Sequence, residues 1–109
     1  MESPENTRAL AALLHRDVEL AEADYGDEAD LLRRLVDHLD YLVDQRMEWL
    51  LSLMYRMDID ERRVRAALRP DAAEPANVGL ARLILERQKQ RLHTKKAYPP
   101  EDLGDEWGW

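Results

Sequence analysis

From Glu28 to Met57 the chain has neither Gly nor Pro, and its apolar residues recur at spacings of three and four. Leu32, Leu35, Val36, Leu39, Leu42, Val43, Met47, Trp49, Leu50, Leu53, Met54 and Met57 form one stripe. Arg33, Arg34, Asp37, Asp40, Asp44, Gln45 and Glu48 occupy the other side. This period lays an apolar face along a helix and does not fit a strand. At ~1.5 Å per residue the helix would be a rod of about 45 Å. A domain of this size has a radius of gyration near 13 Å, equivalent to a sphere only about 34 Å across. The rod therefore either bends near Ser52 or lays its stripe on a second subunit. The second subunit is the favoured expectation, with Leu39, Leu42, Trp49, Leu50, Leu53 and Met54 as the homodimer seam. The apolar crowd at Leu50, Leu51, Leu53, Met54, Tyr55 and Met57 is read first as core plus seam. A groove for another protein's helix is the alternative.

The flanking segments are also helical. Ser3-Pro4 is a helix start, with Ser as N-cap and Pro in the first turn. Leu10, Leu13, Leu14, Val18 and Ala21 extend that helix over about 4–24. Gly26 can then close it, and Asp27 can cap the long helix. Asp58 is expected to cap a short helix over about 59–68, with Glu61 reaching back to the cap. That helix buries Ile59, Val64, Ala67 and Leu68. Pro75 opens a last helix over about 76–96, with Val78, Leu80, Ala81, Leu83, Ile84, Leu85 and Leu92 as its apolar set. Gly79 in its first turn blurs where it begins. Pro99-Pro100 prevents continuation. The expected architecture is all-α: one bundle of about four helices over 1–98 with a long central helix, then an acidic tail over 99–109.

Composition excludes several kinds of chemistry. Without cysteine there is no disulfide, no thiolate metal site and no thiol nucleophile. The acidic start Met1-Glu2-Ser3-Pro4-Glu5 does not resemble a secretory signal, and no apolar run approaches a membrane span of ~20 residues. A cytoplasmic location with no membrane partner is expected. Thirteen arginines against three lysines fit a GC-rich bacterial genome. No Gly-rich phosphate loop or nucleophile elbow is present, and the serines are only Ser3 and Ser52. His15 and Glu19 stand one turn apart at metal-ligand spacing, but no second His-carboxylate pair matches them. His38 lies at the edge of the long stripe. Asp58 and Asp60 match a calcium loop at only two positions. No catalytic, cofactor or metal residue is expected.

The net charge of −7 hides a segregation. Residues 1–60 carry a net −9, residues 61–98 a net +6 and residues 99–109 a net −4. Arg82, Arg87, Lys89, Arg91, His93, Lys95 and Lys96 crowd the last helix. Matching to the acidic long helix is the favoured reading of this cluster, ahead of a protein partner and then nucleic acid. In the tail, Leu103, Trp107 and Trp109 stand among Glu101, Asp102, Asp105 and Glu106. Tryptophan is a frequent interface anchor, so the tail either straps the chain's own assembly or docks on a partner.

These features together point to a non-catalytic adaptor or assembly protein, homodimeric, with partner contacts at Leu103, Trp107, Trp109, Arg82, Arg87, Lys89, Arg91, Lys95 and Lys96. A nucleic-acid-associated or nucleic-acid-mimicking regulator is the alternative, and a small metal protein or enzyme comes third.

Overall fold

The computed structural model describes residues 4–97, with side chains over 6–93. Every regular element among them is a helix: α1 Pro4–Val18, α2 Glu28–Gln45, α3 Met47–Arg56, α4 Glu61–Leu68 and α5 Ala76–Ala97. None is long and apolar enough to cross a membrane.

The expected thirty-residue rod is two helices. The break falls at Arg46 (φ −141°, ψ 43°), not at Ser52. Arg46 N–H still bonds the Leu42 carbonyl at 2.8 Å, and its own carbonyl accepts from Leu50 at 3.0 Å, so the joint is a bend and not a loop. At ~1.5 Å per residue, α2 and α3 are about 27 and 15 Å long, and each fits the domain. The bend turns both halves of the stripe onto one core, and Leu42 and Leu50 on either side of it are fully buried. Outside, the Arg46 guanidinium stacks 4.2 Å from the Trp49 ring and pairs with Glu19 at 2.9 Å.

The element at the centre is α5, with α1, α2 and α4 all packed against it. A helix covered on three sides cannot keep a single apolar stripe. Leu80, Ala81, Leu83, Ile84 and Leu85 are accordingly buried, with only Arg82 among them exposed. Leu31, Leu35, Leu39 and Leu42 supply the facing side of α2, while Leu10, Leu14 and Val18 supply α1. Gly79 is small for a reason: a Cβ there would lie 3.1 Å from the Cβ of Ala67, where α4 meets α5.

Helix α1 stops at Val18, six residues before the expected end. Glu19 turns left-handed (φ 61°), and Leu20 N–H reaches back to the Leu14 carbonyl at 3.3 Å. This turn buries Leu20. Two imidazoles finish the end. One ring nitrogen of His38 bonds the Val18 carbonyl at 2.6 Å, and one of His15 bonds Leu20 at 2.8 Å. Asp27 caps α2 as expected, accepting from Asp30 N–H at 2.8 Å.

Asp58 does not cap α4. It is the left-handed residue (φ 62°) that closes α3, with Ile59 N–H bonding Met54 at 3.2 Å and Asp58 N–H bonding Tyr55 at 3.0 Å. This pair of bonds is a Schellman closure. The cap of α4 is Asp60, accepting from Arg62 N–H at 2.9 Å, and Glu61 pairs with Arg65 at 3.0 Å instead of reaching back. The Ser3 cap lies outside the described residues.

Asp58→Gly should raise stability by about 0.5–1 kcal/mol, because Gly takes the left-handed conformation without a Cβ penalty. Gly79→Val should lower it by about 1–3 kcal/mol through crowding against Ala67. Urea midpoints at constant m-value test both. A loss of stability for Asp58→Gly would show that its carboxylate supports the turn.

Candidate functional site

The expected dimer seam is mostly interior. Leu39, Leu42, Leu50, Leu53 and Met54 are all buried in the chain's own core. They can meet a second subunit only if the domain opens, so a seam of these residues is corrected. Of the six, only Trp49 stays partly exposed, beneath Arg46.

The outer sides of α2 and α3 carry what remains. Tyr41, Leu51 and Tyr55 are 54%, 37% and 77% exposed and are the exposed large apolar side chains of the described residues. Tyr41, Asp44, Glu48, Leu51 and Tyr55 follow one another at spacings of three and four, all solvent-exposed. That spacing sets Tyr41 and Asp44 on one side of α2, and Glu48, Leu51 and Tyr55 on one side of α3. Beside Leu51 and Tyr55 a groove of about 240 Å³ opens between α3 and α4, with Met54, Ile59, Val64 and Leu68 along it and Glu61 and Arg65 at its edge.

The basic residues of α5 are largely engaged within the chain. Arg82 pairs with Glu74 at 2.9 Å, Lys89 with Glu28 at 2.7 Å and Arg91 with Asp17 at 3.0 Å. Arg87 donates from Nε to the Met57 carbonyl at 2.8 Å. Helix α5 thus meets the acidic first half of the chain through its charges as well as its core. The side chains of Lys95 and Lys96, and the tail residues Leu103, Trp107 and Trp109, lie outside the described residues.

Sequence reasoning missed a second feature. A depression of about 520 Å³ is edged by Arg16, Arg56, Arg87 and Arg91, with Asp17 and Asp58 the acids among them. Behind Asp17 lies Gln88, which is fully buried and donates to Asp17 Oδ2 at 2.8 Å. Arg91 donates to the same oxygen at 3.0 Å, and Arg16 grips both oxygens of Asp17 at 2.9 and 3.3 Å. Burial pushes the Asp17 carboxyl up, the largest single influence. Hydrogen bonds from Arg16 and Gln88 and the charges of Arg16 and Arg91 together outweigh it and hold the group below its ordinary value of 3.8. Four arginines from three helices, far apart in sequence, leave no motif that spacing could reveal.

The metal-ligand spacing of His15 and Glu19 is not used as a pair. His15 bonds the Leu20 backbone and approaches Glu22 at 3.4 Å, while Glu19 binds Arg46. Among the described residues no group of three His, Cys, Asp or Glu is placed to hold a metal ion.

A carboxyl with a lowered folded-state value stabilises the fold above its ordinary range, and that contribution is lost as pH falls through the lowered value. Asp17→Asn should therefore cost about 1–2 kcal/mol at pH 7. The gap to the natural chain should close as pH drops below about 4. Urea denaturation at pH 7 and pH 3 checks this, and an equal gap at both values would remove Asp17 as its source. Compared with models of known families, with curated proteins and with solved structures, the chain matches none.

Proposed function

We propose that this protein is a non-catalytic interaction module that docks a basic, amphipathic helix of another protein on the outer side of α2 and α3. The carrying observation is the pair Leu51 and Tyr55, exposed apolar side chains on the α3–α4 groove, with Tyr41 exposed on the neighbouring α2. Aromatic and leucine anchors next to a groove suit a partner helix with apolar residues at i, i+3 or i+4 and i+7.

Charge favours a basic partner. Asp37, Asp40, Asp44 and Glu48 are exposed on the same two helices, and none forms an ion pair among the described residues. Two-fold pairing of identical copies sets a patch against itself. On this side it would bring Asp44 and Glu48 toward their own copies, with like charges opposed. A chain supplying Lys or Arg gains where a second copy loses, so the homodimer is the less favoured use of this face. Nucleic acid is disfavoured by the same bookkeeping, since Arg82, Lys89 and Arg91 already hold carboxylates. An adaptor role rests on this face alone; Leu103, Trp107 and Trp109 are a further anchor set on the same reading.

A photo-crosslinker placed at exposed Ser52, beside Leu51 and Tyr55, in the full chain, followed by mapping of the captured peptide, tests the proposal. The expected capture is a Lys/Arg-rich segment with apolar residues at helical spacing. Leu51→Glu with Tyr55→Glu should cut that capture at least tenfold. Capture only of a second copy of this chain would replace the reading with self-association. Capture of a basic segment undiminished by the double variant would place the docking face elsewhere.

A further inference from the structure

We propose that the arginine-edged depression between α1, α3 and α5 is a binding site for a phosphomonoester dianion. Four guanidiniums and two carboxylates edge it, a net charge of +2. A phosphomonoester carries close to −2 at neutral pH. Within this group the charges are not evenly matched. Asp17 answers Arg16 and Arg91. Arg87 has only neutral acceptors, the Met57 carbonyl and Gln90 Oε1 at 3.4 Å. Arg56 has no ion-pair or hydrogen-bond partner among the described residues. Most other arginines and lysines of the described residues hold a carboxylate, so two unmatched guanidiniums on one depression stand apart from the general pattern.

Three of the four arginines are also held in advance of any ligand. Buried Gln88 fixes Asp17, Asp17 fixes Arg16 and Arg91, and a backbone carbonyl fixes Arg87. Ordered guanidinium forks lose less freedom on meeting an anion than free side chains do, and their planar donors match phosphate oxygens in pairs. Arg56 projects from the last turn of α3 beside the Schellman closure, whose geometry sets its position. A volume of about 520 Å³ lies within the range of small-molecule sites and leaves room for more than the phosphate itself. The phosphate can belong to a small free compound or to a phosphorylated protein side chain.

The test is a titration of the full-length chain at constant ionic strength, with inorganic phosphate as one probe and a phosphoserine hexapeptide as the other. Backbone amide shifts report the site. Saturable binding of inorganic phosphate at roughly 0.1–1 mM is expected, with shifts centred on Arg56 and on Arg87 to Arg91. Two neighbouring substitutions should act in opposite directions. Arg56→Ala should weaken binding at least fivefold, and Asp58→Gly, which removes a negative charge from the rim, should tighten it severalfold. A peptide that binds tenfold tighter than phosphate assigns the phosphate to a modified protein. Equal affinities assign it to a small compound.

No saturation by about 10 mM overturns the proposal, as does binding that Arg56→Ala leaves unchanged. So does a third result. If phosphate binds only when Glu101→Gln, Asp102→Asn, Asp105→Asn and Glu106→Gln neutralise the tail, the depression belongs to the chain's own carboxylates.

Discussion

The burial of α5 on three sides is the constraint from which the remaining structure follows. A helix that buries Leu80, Ala81, Leu83, Ile84 and Leu85 and leaves only Arg82 of that stretch to solvent is ordered only when other helices enclose it. Enclosure by short elements requires close approach. Gly79 and Ala67 provide it where α4 meets α5. The longest apolar stripe of the chain must also reach this one core. Bent at Arg46, the 28–57 segment lays α2 on α5 and turns α3 toward α1 and α2, burying Leu31, Leu35, Leu39 and Leu42 on one arm and Leu50, Leu53, Met54 and Met57 on the other. The bend thus serves a core shared by α1, α2 and α5, and no Gly or Pro marks it in the sequence.

Charge acts at a second level. The acidic first half and basic second half meet across the α5 interfaces, in Lys89–Glu28 and Arg91–Asp17. Exposed pairs of this kind each contribute about 0–1 kcal/mol, so they do not explain why the domain is stable. They do penalise wrong alignments, because sliding α5 by a turn sets its cations against the wrong partners. Asp17 and Gln88 belong to a different category. A fully buried amide must be satisfied or it costs about 1–3 kcal/mol, and here Asp17 accepts from the Gln88 nitrogen while Arg91, which also holds Asp17, donates to its oxygen.

Periodicity made the helices legible and left their joints illegible. The all-α class, the Asp27 cap and the extent of α5 could be read because Gly, Pro and apolar spacing act locally. The Arg46 break could not, since no breaker residue stands there and the cause is tertiary. The ends of α1 and α3 were missed for a related reason: Glu19 and Asp58 adopt a conformation that glycine favours, without being glycine. Leu20 was overlooked because it lies off the α1 stripe and enters the core only through that turn. The pairing of α5 with the acidic half was legible from charge segregation. The seam was misassigned because a stripe pattern reports that a residue is buried and cannot report by which chain. Arg16 and Arg56 were invisible as site residues, since each reads as an ordinary exposed cation until α1, α3 and α5 are assembled.

The end of α3 shows how so small a domain can carry two distinct surfaces. Successive helical side chains diverge by about 100°, so three neighbours face three directions. Tyr55 stands in solvent beside the α3–α4 groove, Arg56 borders the arginine-edged depression and Met57 enters the core. Such divergence has value only if the helix end does not fray, and a final turn is ordinarily the first part to do so. The Schellman bonds to Met54 and Tyr55 hold this one closed, with Ile59 tucked over Met54 inside the groove. The left-handed Asp58 that completes the closure also puts a carboxylate on the rim of the depression, where glycine would leave none. Glycine would serve the turn better and the charge balance differently. An aspartate at this position thus lowers the net charge of the depression by one unit and leaves the turn with a side chain that the left-handed conformation disfavours.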